Sequence, residues 1–319
     1  MRAFIFPGQG SQAVGMGREL AVASAAAREV FQEVDEALGE SLSRLMAEGP
    51  ADELTLTENA QPAIMASAIA TLRVLTLEGG VRLAAKADFV AGHSLGEYSA
   101  LCAAEALDLA TTAQLLRTRG QAMQEAVPVG QGAMAALLGA DVELARVIAG
   151  AAVDAILAEG GAELVCTVAN DNDPSQVVIS GHRAAVERAV PLAKELGAKR
   201  AVLLPVSAPF HCPLMRPAAD VMENALLDAD LRAPLLPVYC NIDAAPIASA
   251  GQIRVALVQQ VTGMVRWRES VLAMVAAGVT EFVEFGGKVL TPMVKRICPD
   301  VEATSVVTMA DVEALAGRI

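Results

Sequence analysis

A short apolar run, Phe89-Val90-Ala91, meets two glycines that bracket a serine in Gly92-His93-Ser94-Leu95-Gly96. An apolar run of that length stopping at glycine reads as a buried strand, and the helical pattern from Leu95 to Ala104 completes a unit of strand, sharp turn and helix. Glycine at both ends of the turn removes the side chains that would block it and leaves Ser94 exposed at its apex. Ser94 is therefore a candidate nucleophile. A serine that merely caps the helix beginning at Leu95 is the alternative, and a helix N-terminus suits both readings because its N–H groups favour negative charge.

The rest of the chain repeats this alternation. Ala3–Phe6 reads as a strand that stops at Pro7-Gly8 and opens the glycine-punctuated loop Phe6 to Gln12. Helical spacing then dominates to about Gly79, including Ala60 to Leu77. From Gly130 to about Pro205 the rhythm changes to strand 133–138, helix 141–158, strands 164–169 and 176–180, helix 183–196 and strand 200–204. That β-α-β-β-α-β order is the ferredoxin-like signature. The turn-rich residues Asn170-Asp171-Asn172-Asp173-Pro174 are expected to join the two middle strands. After Pro205 the alternation resumes, with strands expected at 237–241, 281–285 and 304–308, so the main sheet should be largely parallel and covered on both faces. The expected division is a core of 1–128 and 206–319 with an inserted subdomain at 129–205.

With 319 residues, 54% hydrophobic and 19% charged, the chain can bury a large core. No run of 18 or more uninterrupted apolar residues is present to span a bilayer. Only four apolar residues follow Arg2 before Pro7, too few for a secretory signal, so a cytoplasmic location is expected. A net charge of -13 argues against a nucleic-acid partner. The five cysteines are scattered and form no C-x-x-C pair, so buried reduced thiols are expected rather than disulfides or a metal site.

A serine hydroxyl needs a neighbouring base, and only three histidines are available. His93 adjoins Ser94 on a turn that points the two side chains apart. His182 follows a strand of the inserted unit, where a solvent-facing role is expected. That leaves His211, in a loop fixed by Pro209 and Pro213. No acid is singled out as a third member, so a Ser-His dyad with the imidazole oriented by a backbone carbonyl is the expectation. The Pro7 to Gln12 loop also follows a strand, and in a parallel sheet it would share the carboxyl edge with the serine turn. The N–H groups of Gln9 and Leu95 could then hold an oxyanion. The loop has neither the lysine of a P-loop nor dinucleotide-site spacing.

These residues resemble the malonyl-CoA:acyl carrier protein transacylases and the related acyltransferase domains of polyketide synthases. The similarity runs through FPGQGSQ (Phe6 to Gln12), GHSLGEYSA (Gly92 to Ala100), RGQAMQEAVP (Arg119 to Pro128), GAMAALLG (Gly132 to Gly139), QVVISGH (Gln176 to His182), HCPLM (His211 to Met215) and GKVLTPMVKRI (Gly287 to Ile297). The resemblance implies an α/β hydrolase-like core with an inserted ferredoxin-like subdomain. It also implies Ser94 as the acylated residue, His211 as base and Gln9 with Leu95 as oxyanion donors. Arg119 would grip the malonyl carboxylate, and the Gln260 carbonyl would orient the histidine. Phe210 matches a position associated with malonyl choice, and His93 joins it as a possible acyl-pocket residue. Phe285-Gly286-Gly287-Lys288 is one departure, being shorter than the family's usual glycine turn.

The implied function is transfer of malonyl from malonyl-CoA to the phosphopantetheine thiol of acyl carrier protein in fatty-acid biosynthesis, with no cofactor or metal. The alternatives are a serine hydrolase or thioesterase, a stand-alone acyltransferase serving a polyketide synthase, and a scaffold with a structural serine turn. Because the chain is itself acidic, an acidic carrier would need local basic groups. Candidates are Arg183, Arg188, Lys194, Lys199 and Arg200 in the insert, and Lys288, Lys295 and Arg296 near the C-terminal end.

Overall fold

The computed structural model describes residues 1–319. Its strands are, in chain order, β1 (Arg2–Phe6), β2 (Phe89–Gly92), β3 (Gly132–Leu138), β4 (Cys166–Asp173), β5 (Gln176–His182), β6 (Arg200–Leu203), β7 (Val238–Tyr239), β8 (Pro246–Ile247), β9 (Glu281–Phe285) and β10 (Glu302–Val306). Six of them form one sheet in the order β10-β9-β1-β2-β7-β8. All its pairs are parallel except β7 with β8.

The continuous apolar character of β1 follows from its central place. Phe4 and Phe6 face one side and join the main core, whereas Ala3 and Ile5 face the other and pack with Trp267, Phe282 and Val271. Burial on both faces is what a helix-covered parallel strand requires. The helix Thr57–Leu77 is long and apolar enough to cross a membrane, but 83% of its most apolar window is buried inside the fold. It packs against the helices Ala25–Leu38 and Leu109–Glu125. Aspartates fix helix starts: Asp108 accepts from the Thr111 amide and Asp141 from the Leu144 amide.

The remaining strands form a four-stranded antiparallel sheet in the order β4-β5-β3-β6. The helices Val142–Ala158 and Arg183–Glu195 cover it and supply a separate core of alanine, valine and isoleucine. The chain is thus α/β, with a mainly parallel sheet and a βαββαβ unit set into it.

Two expectations need correction, and one short strand has no counterpart in the sequence pattern. Asn170 to Asp173 is not the turn between the middle strands: these residues extend β4, are buried, and leave only Pro174-Ser175 to reverse the chain. The side chains of Asp171, Asn172 and Asp173 are satisfied across the seam, which is why such residues tolerate a strand. Asp171 meets Arg268 at 2.9 Å, Asp173 meets Arg296 at 2.8 Å, and β4 exchanges backbone bonds with Val265. The antiparallel β8 is an addition, since two residues carry no readable period. Of the five free cysteines, Cys102 and Cys298 are only half-buried.

Candidate active site

The serine turn is built by close approach. A Cβ on Gly92 would fall 1.9 Å from the Gly96 carbonyl carbon, and one on Gly96 would fall 2.2 Å from the Phe6 carbonyl oxygen. Neither position admits a side chain, so β2 can bend directly into the helix Gly96–Ala103. Ser94 takes up the bend with φ 54°, a left-handed conformation that costs a non-glycine residue energy and projects its hydroxyl outward. Asn241, in the turn just after β7, clamps the serine turn: its Oδ1 accepts from the Ser94 amide at 2.7 Å and its Nδ2 donates to the Gly92 carbonyl at 2.7 Å.

Ser94 Oγ lies 2.7 Å from His211 Nε2, and His211 Nδ1 lies 2.9 Å from the Gln260 carbonyl oxygen. A carbonyl only accepts, so Nδ1 carries the proton and Nε2 presents a lone pair to the serine hydroxyl. Burial pushes the His211 pKa down to about 3, the Arg119 charge pushes in the same direction, and the bond to Gln260 offsets part of this. The ring is therefore neutral in the free site at ordinary pH.

Arg119 is 1% exposed, on the helix Leu109–Glu125. One Nη donates to Gln61 Oε1 at 2.6 Å, and the other donates to Gln260 Oε1 at 2.8 Å and to Ser94 Oγ at 3.2 Å. Its Nε has no partner, its guanidinium lies over the Tyr98 ring, and no carboxylate contacts it. Burial weighs against its charge. A buried cation held only by neutral acceptors beside a nucleophile is a socket for an anion.

Gln61, Asn241 and Glu97 join the site without a sequence signature. Amides and a lone acid carry no motif, and their roles arise from contacts across 58 to 163 positions. The one available signal was Glu97 itself, a charge in an otherwise apolar helix after the serine turn.

A cavity of about 350 Å³ opens onto these groups, lined by Gln9, Ser94, Leu95, Arg119 and His211 among others. Because β1 and β2 pair in parallel, the loops leaving them meet at the carboxyl edge. The amides of Gln9 and Leu95 donate to no protein acceptor. The opposite wall comes from the small sheet, with Met134, Ala136 and Val178, and Phe210 also contributes. His93 lines the cavity but turns to Asn172, 2.8 Å from its Nε2, leaving the serine to His211. His182 sits outside the cavity, half-buried rather than solvent-facing, and accepts from the Val165 amide at 2.8 Å. In the shortened glycine turn, Gly286 (φ 75°) packs so tightly that a Cβ would lie 2.6 Å from Ala68 Cα. Among the basic candidates, Arg183, Arg188 and Arg296 are already paired with Glu187, Glu159 and Asp173, and Lys295 bonds backbone carbonyls. Lys194, Lys199, Arg200 and Lys288 make no salt bridge.

The acyl transferase domain family model matches residues 3–286. The chain is 47% identical to malonyl CoA-acyl carrier protein transacylase of Bacillus subtilis over 296 residues, covering 92% of this chain and 90% of that one. It is 44% identical to the protein of the same name from Escherichia coli K12, covering 95% and 94%. Among solved structures, acyl-carrier-protein-S-malonyltransferase from Bartonella henselae superposes with TM-score 0.93 at 52% identity, covering 99% of each chain. A malonyl-transacylase in complex with its type II PKS acyl-carrier protein superposes with TM-score 0.93 at 39% identity, covering 100% of this chain and 99% of that one.

Proposed function

Because the chain belongs to the acyl transferase family, we propose that it moves malonyl from malonyl-CoA to the phosphopantetheine thiol of an acyl carrier protein, through a malonyl ester on Ser94. The observation that carries the choice of acyl group is the buried Arg119 guanidinium, 3.2 Å from the nucleophile and without a carboxylate of its own. A planar cation in that position selects an acyl group ending in a carboxylate.

In the first half-reaction the Ser94 oxygen attacks the thioester carbonyl as His211 Nε2 takes the hydroxyl proton. The negative oxygen is received by the N–H groups of Gln9 and Leu95, and coenzyme A leaves with the proton from His211. In the second, the carrier thiol gives its proton to His211 and its sulfur attacks the ester carbonyl; the Ser94 oxygen then leaves and takes that proton back from His211, which restores the free site. The Gln260 carbonyl holds the imidazole in the tautomer both steps need. A thioester is exchanged for an ester and back, so the cycle consumes no ATP and needs no metal or cofactor. Phe210 and His93 bound the acyl room. The site lies between the two bodies we assign as a core of 1–128 and 206–319 and an inserted subdomain of 129–205, a division supported by their separate sheets and cores. We place the enzyme in the cytoplasm and in fatty-acid biosynthesis. The likeness to a transacylase bound to a polyketide carrier protein favours polyketide supply as the second reading.

Intact-protein mass spectrometry after incubation with malonyl-CoA tests this directly. One malonyl group is expected on the wild-type chain and none on Ser94→Ala. Arg119→Ala should slow malonyl loading by about 10²–10³, the cost of leaving a buried charge unpaired, and acetyl loading far less. Equal losses for both groups would remove the clamp, and turnover to free malonate without a carrier product would make the protein a hydrolase.

A further inference from the structure

Behind the serine turn lies a closed polar cluster that the reaction above uses only in part. Glu97, Asn241, Gln260 and Arg119 are each no more than 1% exposed. Glu97 Oε2 accepts from Gln260 Nε2 at 2.8 Å and from the Asn241 amide at 3.0 Å, while its Oε1 has no partner. Gln260 also donates to the Ser94 carbonyl at 3.1 Å, and its Oε1 receives Arg119. The carboxylate thus fixes which way the Gln260 amide points. With its NH₂ taken by Glu97, the amide must turn its oxygen to the guanidinium. Reversed, it would set donor against donor.

Charge makes the same connection. Arg119 touches no acid, so its counter-charge in the empty site is Glu97, one amide away. The other titratable groups facing Glu97 are Tyr98 on its own helix, Cys240 and Asp243 after β7, and His211 across Gln260. None of these supplies an opposite charge.

We propose that Glu97 is a positioning residue that balances Arg119 through Gln260 while the site is empty, and takes up a proton on Oε1 when the malonyl carboxylate replaces it as the partner of Arg119. This rests on Arg119 holding the acyl carboxylate. The energetics agree: burial raises the Glu97 pKa to about 7, against hydrogen bonds from Asn241 and Gln260 and the attraction of Arg119. Pairing Arg119 with substrate removes that attraction and moves the pKa further up. Serine acylation is otherwise proton-neutral, because the hydroxyl proton leaves on coenzyme A, whose thiol stays protonated below the usual thiol pKa of about 8.5.

Two readouts test the idea. On mixing enzyme with stoichiometric malonyl-CoA near pH 7 in dilute buffer, an indicator dye should report net proton uptake in the wild type. It should report none with acetyl-CoA and none in Glu97→Gln, which keeps an acceptor for Gln260. In parallel, kcat/KM for malonyl-CoA should fall about tenfold between pH 6 and 8, following one proton of linkage. The acetyl-CoA profile and the Glu97→Gln malonyl profile should stay flat over the same range. Malonyl loading of wild-type Ser94 without proton uptake would overturn the role of Glu97 even if the variant does not fold. Failure of malonyl to load at all would overturn the function instead.

Discussion

His211 shows how a residue's surroundings can matter more than its type. An exposed histidine titrates near 6.5, but burial and the neighbouring Arg119 hold this one as a neutral base down to about 3. Malonyl transfer should therefore show no acid limb near pH 6.5, and kcat/KM should stay within about twofold from pH 6.5 to 5. A stopped-flow pH profile that falls on acidification with its midpoint near 6.5 would refute this. Stability moves the other way. The unfolded chain binds a proton below its ordinary histidine pKa that the folded site refuses, so acidification from 6.5 towards 3 favours unfolding. The half-buried His93, also held below its ordinary value, adds in the same direction. At this scale the sequence singled out Ser94 and His211 as candidates, the first through its glycines and the second by elimination among three histidines, and the fold sets them 2.7 Å apart. It did not show what Glu97 or Asn241 would meet, because neither an amide nor a single acid in an apolar helix announces a partner more than a hundred residues away.

Among the elements, β4 is the informative failure. Asn170-Asp171-Asn172-Asp173 has the composition of a turn, and isolated from its partners it would be one. In the fold it is a strand because Arg268, Arg296 and His93 meet its polar side chains at the boundary between the two sheets. Asp173 is fully buried and also accepts from the Ser175 amide at 2.8 Å. Arg296→Ala should therefore destabilise the protein by about 1–3 kcal/mol, as loss of the partner of a buried charged group does. Asp173→Asn in the same chain should recover part of it, measured as denaturant midpoints in a double-mutant cycle. Recovery of nothing would mean that the pair does not couple. The βαββαβ order was legible because its helices keep a 3.6-residue period and its strands are short apolar runs. The end of β4 was not, because its stability is tertiary.

For the molecule as a whole, acidity and function pull against each other. A chain of net charge -13 would meet an acidic carrier favourably only at a local basic patch. The structure narrows the candidates to side chains whose charge is not already neutralised, notably Lys288, beside the cavity-lining Val289 and Leu290. Lys288→Glu should raise the apparent KM for carrier protein roughly two- to fivefold and flatten its salt dependence, as one exposed charge pair allows. Malonyl loading from malonyl-CoA should be unchanged. An unaltered carrier KM would place docking elsewhere. The shared carboxyl edge of β1 and β2 followed from sequence, since parallel strands put their leaving loops on one side. The second wall of the cavity did not, because a separate sheet's approach has no local signature. That wall has a consequence for how such enzymes diversify. Met134, Ala136 and Val178 belong to a sheet that contributes neither Ser94, His211 nor Arg119. Substitutions in that sheet can therefore enlarge or narrow the cavity without moving Ser94, His211 or Arg119, so the size of the acceptable group and the serine-histidine geometry can change independently.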